Sequence, residues 1–206
     1  MVNTKSCETK KAEIVQACRE LYQKMSFKDI TMKEISSYTR FSRPSIYNYF
    51  QTKESIFLEI FRQEYIFWCD DMENIIKKHQ NLSTEEFAST LSQTLDRRPV
   101  LLKLLSMNIY DLEENCSLED LTVFKKEYKR ALETVELLLK TYFPCLDIKK
   151  REQFIYTFFP FMFGLYPYAN VTEKQKEAMT KAGMIYPVKS VYDFTYQTIL
   201  SLLQCL

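Results

Sequence analysis

The side chains best equipped for chemistry sit in one short run, Ser42-Arg43-Pro44-Ser45, followed at close spacing by Tyr47, Tyr49 and Lys53. An arginine guanidinium is a planar fork that matches O6 and N7 of guanine, while hydroxyls and ammonium groups suit phosphate oxygens. Other chemistries are poorly supplied. The lone His79 offers no histidine pair for a metal, and Cys7, Cys18, Cys69, Cys116, Cys145 and Cys205 contain no Cys-x-x-Cys pair. Gly164 and Gly183 lie too far apart for a Walker loop or a dinucleotide-binding turn. With no Ser/His/Asp or Cys/His constellation, neither an enzyme nor a bound cofactor or metal is expected.

The elements that must position this run are helical. Aliphatic residues recur at spacings of three and four, and the chain is too poor in glycine and Asn-Gly or Asp-Gly turns for hairpins, so the expected fold class is all-α. Ile14, Cys18, Leu21 and Met25 share one face of a first helix from about residue 9 to 24. Thr31-Met32-Lys33-Glu34 reads as a capping box that opens a short helix ending near Tyr38, and Thr39-Arg40-Phe41 is then a turn. Ser42 caps a third helix through Phe50, with Pro44 in the first turn, where its missing amide proton has no helical partner to lose. Ile46 and Phe50 face a core with Phe27 and Ile35, which points Arg43 and Ser45 outward at the head of the helix. Two short helices across a tight turn, the second headed by donors, form a helix-turn-helix, whose second helix lies in the major groove of DNA.

From Thr52 the pattern lengthens. Ile56, Ile60, Tyr65, Trp68, Met72, Ile75 and Ile76 make a stripe that lasts to about His79, roughly 40 Å at helical rise. Capping signals at Ser83, Ser117 and Thr172, with Pro99, Pro144 and Pro187 near breaks, complete an expected set of ten helices beginning near residues 9, 31, 42, 52, 83, 99, 117, 147, 172 and 188. Charge divides similarly: residues 1–60 hold ten Lys/Arg against seven Asp/Glu, and the remainder eighteen against twenty. Residues 153–172 carry no charge, yet Pro160, Gly164 and Pro167 with flanking Glu152 and Glu173 make this a buried helix rather than a membrane span. No signal-peptide stretch opens the chain, so a reducing cytoplasm is expected, with six free thiols serving as core filler.

The segment from Ile14 to Ile56, with Ile14, Ala17 and Leu21, then Phe27-x-x-Ile30-Thr31-x-x-Glu34-Ile35, then Ser42-Arg43-Pro44-Ser45-Ile46-Tyr47-Asn48-Tyr49-Phe50-Gln51-Thr52-Lys53-Glu54-Ser55-Ile56, resembles the TetR family of transcriptional regulators over roughly the first 60 residues. The resemblance implies a helix-turn-helix DNA-binding domain at residues 1–52 and a helical effector-binding and dimerisation domain at residues 53–206. It implies phosphate contacts from Thr31, Ser42, Tyr47, Tyr49 and Lys53, and base contacts from Arg43, Pro44 and Ser45. Four positions depart from the usual pattern: Ser26, Arg40 and Pro44 stand where the family has glycine, and Ser36 where it has alanine. Arg40 is therefore expected either to adopt a left-handed backbone or to reshape the turn.

The same resemblance implies a homodimer on a palindromic operator, acting as a repressor released by a small apolar or aromatic effector. Effector candidates are Tyr65, Trp68, Met107, Tyr110, Tyr128, Phe159 and Phe163, with Glu64, Asp70 and Asp71 near enough in sequence to take a cation. The dimer faces are expected at Phe154, Phe158 and Phe161 on one late helix and at Val191, Phe194, Thr198 and Leu202 on the last, because aromatic residues on every side imply burial on every side. The competing reading is a helical scaffold or accessory protein that keeps the motif without binding an operator.

Overall fold

The structure, a computed structural model, describes residues 2–107, 109–185, 187 and 189–205. All regular structure among them is helical, in eleven helices: α1 (Val2–Lys24), α2 (Met32–Ser37), α3 (Arg43–Tyr47), α4 (Lys53–Lys78), α5 (Thr84–Asp96), α6 (Pro99–Leu105), α7 (Ile109–Glu114), α8 (Leu118–Tyr142), α9 (Ile148–Ala169), α10 (Glu173–Lys181) and α11 (Val191–Gln204). The helix beyond the expected ten is α7. The third helix is shorter than expected, ending at Tyr47 rather than Phe50.

The chain forms two compact units, one of residues 1–63 and 108–128, the other of residues 64–107 and 129–206. Both α4 and α8 contribute to each unit.

In the first unit α1 buries Ile14, Val15, Cys18, Leu21 and Tyr22, and α4 buries Ile56, Phe57, Leu58, Ile60 and Phe61. Phe57 meets Tyr22 and Phe27 edge-on, at 5.0 and 4.8 Å between centroids. Such pairs contribute about 0.5–1.5 kcal/mol each beyond the area they bury. Phe61 and Phe124, 4.9 Å apart, join α4 to the start of α8.

In the second unit α11 packs on α5 and α9, and α6 packs on α9. Trp68 is fully buried and donates its indole N–H to the Thr94 hydroxyl at 2.9 Å, so its one polar atom is satisfied. Arg98, at the start of α6, grips Asp71 through Nε at 2.9 Å, and Arg130 of α8 reaches Asp70 at 2.8 Å and Glu73 at 2.6 Å. The Tyr142 hydroxyl reaches the carbonyl of His79 at 2.9 Å and that of Ile75 at 3.2 Å, the latter also accepting from the His79 amide at 3.0 Å at the end of α4. His79 itself is exposed just beyond that end. Ser83, Thr172 and Ser190 each close a full capping box.

Two expectations need correction. Phe154 and Phe158, assigned to a dimer face, are fully buried within the second unit, 5.4 Å apart. Residues 154, 158, 162 and 165 share one face of α9, and this face belongs to the unit's own core. The cysteines are also not uniformly core: Cys18 and Cys69 are buried, Cys116 is half-buried, and Cys7, Cys145 and Cys205 are exposed. No helix of the described residues is long and apolar enough to cross a membrane.

Candidate nucleic-acid interface

The short helix α3 is held from beneath by one side chain. Ile46 is fully buried, and Phe50 beyond the helix end is 7% exposed. That anchoring leaves Ser42, Arg43 and Pro44 exposed at the head, with Ser45, Tyr47 and Tyr49 half-buried. Ser42 sits in the extended conformation of an N-cap, yet its hydroxyl makes no capping bond. The expected cap is therefore geometric only, and the hydroxyl stays available to an outside acceptor. Pro44 occupies the first turn without loss of a backbone bond. The Arg43 guanidinium lies 6.0 Å from the Tyr47 ring centroid, a cation–π contact that stiffens the arginine over the helix surface.

The preceding helix is capped as expected: the exposed Thr31 hydroxyl accepts from the amides of Lys33 at 3.2 Å and Glu34 at 3.4 Å. Between the two helices the turn takes a form that needs no glycine. No described residue other than a glycine has positive φ, so Arg40 is not left-handed. Instead the Ser36 hydroxyl donates to the Phe41 carbonyl at 3.0 Å, and the Thr39 hydroxyl accepts from the Phe41 amide at 3.2 Å. Side-chain hydroxyls here replace the backbone geometry that glycine otherwise supplies. Ser36 and Arg40 are thus one linked departure from the family pattern. Arg40 itself points to α1, forming an exposed ion pair with Glu13 at 3.0 Å.

Lys53, expected at a phosphate, has partners within the protein. Its ammonium donates to the carbonyls of Phe27 at 2.8 Å and Ile30 at 3.1 Å, and lies 4.1 Å from the Phe27 ring centroid. Two of its three donors are consumed in fastening the α1–α2 connection to the start of α4. The Tyr-x-x-Phe-x-x-Lys spacing gave its location; only the folded chain brings residues 27–30 against it. Burial pushes the neighbouring Cys18 thiol up to about 12 despite the Lys53 charge, so it stays protonated at neutral pH.

The residues expected to hold an effector are divided between the two units. In the second unit, Tyr65 and Trp68 lie 6.4 Å apart and Trp68 and Phe159 5.8 Å apart, all three buried. Met107 is half-buried in the same unit, and Phe163 is 37% exposed, on the opposite side of α9 from the buried row of Phe158, Met162 and Leu165. Tyr110 and Tyr128 belong to the first unit, and Tyr110 is 78% exposed. Asp70 and Asp71 are already paired, with Arg130 and Arg98 respectively.

Residues 14–60 match the family profile described as bacterial regulatory proteins, tetR family, and residues 62–201 match the tetracyclin repressor-like C-terminal domain. The fold is similar to that of the fatty acid degradation regulator FadR from Bacillus halodurans, at TM-score 0.58 and 14% identity, over 92% of this chain and 97% of that one. It is also similar to a protein from Mesorhizobium loti assigned to the TetR-family transcriptional regulators, at TM-score 0.54 and 17% identity, over 97% of each chain. None of the curated proteins matches the sequence. With both family domains present in order and together spanning most of its length, the chain belongs to the TetR family of DNA-binding transcriptional regulators, which act without catalysing a reaction.

Proposed function

We propose that this regulator is a homodimeric repressor that reads a palindromic operator with α3 and is released by a small-molecule effector. One observation carries the reading: the exposed head of α3, Ser42 to Pro44, stands over a fully buried Ile46, so the donors point outward from a fixed base. In this assignment Arg43, Pro44 and Ser45 meet base edges, and Thr31, Ser42, Tyr47 and Tyr49 meet phosphates. Lys53 positions the module from behind instead of touching DNA. The unstrained turn around Arg40 favours retained DNA binding over a scaffold that has lost it.

The proposed dimer face is the exposed apolar stripe of α9, which includes Tyr156 (74% exposed), Pro160, Phe163 and Pro167, together with half-buried Phe161 and with Val191, Phe194, Thr198 and Leu202 of α11. Two-fold pairing of such faces suits a palindrome, since two recognition helices must reach major grooves about one helical turn apart. The buried Tyr65, Trp68 and Phe159 group supports an apolar or aromatic effector in the second unit. Action in the cytoplasm, where the operator is, completes the proposal.

Selection of random duplexes by the purified protein at about 0.15 M salt, followed by sequencing, tests this function. The expected product is a two-fold palindrome. Failure of folded protein to enrich any sequence, also after extraction of small molecules under denaturation and refolding, would favour the scaffold reading.

A further inference from the structure

The first compact unit contains a cleft of about 660 Å³ bounded by α1, the start of α4 and the α7–α8 corner. Its floor is apolar: Val15, Leu58 and Phe124 are at most 3% exposed, and Phe50 is 7% exposed. This volume falls in the range of sites for drug-sized ligands.

The charges around it are unequal. Arg62 is locked to Glu59 by two hydrogen bonds of 2.7 and 2.9 Å, and the Gln63 amide holds the same carboxylate at 2.8 Å, so this pair is neutral and fixed. Of the remaining charged groups in the lining, Glu8 on α1 and Asp120 on α8 are acidic and Lys11 is basic. The excess is negative. The lining includes the aromatic residues Tyr49, Phe50 and Phe124, and the Lys11 ammonium lies 5.8 Å from the Phe50 centroid, within cation–π range.

We infer that this cleft is a ligand site for an amphiphilic organic cation, and that its occupation alters operator binding from inside the DNA-reading unit. The inference rests on the DNA-binding reading above and adds a site separate from the buried aromatic group of the second unit. Tyr49 and Phe50 follow directly on α3. The Thr52 hydroxyl accepts from the Ser55 amide at 3.1 Å at the start of α4 and donates to the Asn115 carbonyl at 3.2 Å. A ligand seated among these residues contacts both the segment that follows α3 and the corner tied to it, so differential affinity for two arrangements of that corner couples ligand to DNA.

The test is titration of the full-length protein with tetraphenylphosphonium, and in parallel with tetraphenylborate, which has nearly the same shape and the opposite charge. The phosphonium is expected to bind one per chain and the borate at least about tenfold more weakly. Glu8→Gln combined with Asp120→Asn is expected to weaken phosphonium binding about tenfold. Val123→Trp, at a lining residue that is 41% exposed, is expected to block it with helicity unchanged. Equal binding of both ions, or phosphonium binding unaffected by the double variant and by Val123→Trp, overturns the site. Phosphonium that binds but leaves affinity for the selected operator unchanged overturns the regulatory part. The binding titration is read without DNA, so failure to select an operator is distinguishable from failure of the site.

Discussion

Arg43 and Lys53 are both basic, ten positions apart, and their surroundings give them opposite duties. Arg43 is exposed, with the Tyr47 ring against it, so its five donors can face a base edge. Arg43→Ala is expected to cost roughly 1–3 kcal/mol of operator affinity and to relax preference at one position, read by competition between operator variants. Lys53→Met removes two charge-assisted hydrogen bonds from the α1–α2 connection. The expected result is a loss of about 1–3 kcal/mol of stability in urea titration. The slope of log affinity against log salt should stay the same, whereas loss of a true phosphate contact lowers that slope by nearly one. Ser36 and Thr39 act in the same structural sense. Ser36→Ala leaves the Phe41 carbonyl only the longer contact from the Thr39 hydroxyl at 3.4 Å, and Ser36→Ala with Thr39→Val should loosen the turn enough to weaken every operator sequence alike.

At the scale of elements, α9 carries aromatic residues on all sides and so gives no sequence signal for which side meets its own unit. The structure separates them: Phe154, Phe158, Met162 and Leu165 lie inside, while Tyr156, Pro160, Phe163 and Pro167 lie outside. Phe163→Glu is therefore expected to give folded monomers by light scattering, with the helical circular dichroism spectrum retained. Phe158→Glu buries an unpaired carboxylate among Phe154, Phe159 and Phe161, and is expected to unfold the second unit. A Phe163→Glu protein that remains dimeric at micromolar concentration would show that the dimer uses another face. The helix ends were easier to read. Ser83 and Thr172 close their boxes because capping needs only residues three apart, a relation that the chain fixes without help from the fold.

Over the whole molecule, thiol chemistry reports which surfaces the fold covers. Burial holds the Cys18 thiol up to about 12, and burial with the nearby Asp120, Glu54 and Glu113 charges holds Cys116 up to about 11. Near pH 8 both are almost entirely protonated, so little thiolate is available to react. An aromatic disulfide reagent at that pH is expected to modify Cys7, Cys145 and Cys205 quickly, Cys116 slowly, and Cys18 and Cys69 only on unfolding. Rapid loss of all six thiols would contradict the burial described here. DNA affinity should also fall steeply with salt, since a dimer that neutralises several phosphates releases a counterion for each.

The amino-acid sequence by itself determined the helical class, the helix-turn-helix and its family, because these rest on local relations: apolar spacing, caps, and a motif of some thirty consecutive residues from Phe27 to Ile56. Tertiary structure alone decided that Lys53 fastens a loop, that Ser36 and Thr39 close the turn, that Arg130 and Arg98 occupy Asp70 and Asp71, and which side of α9 is buried. The same holds for the cleft lined by α1, α4 and α8, of which the first and last are more than a hundred residues apart in the chain. Local pattern fixes an element and its faces. It does not fix which distant element covers a face, since that depends on how the apolar surface of the whole chain can be buried at once.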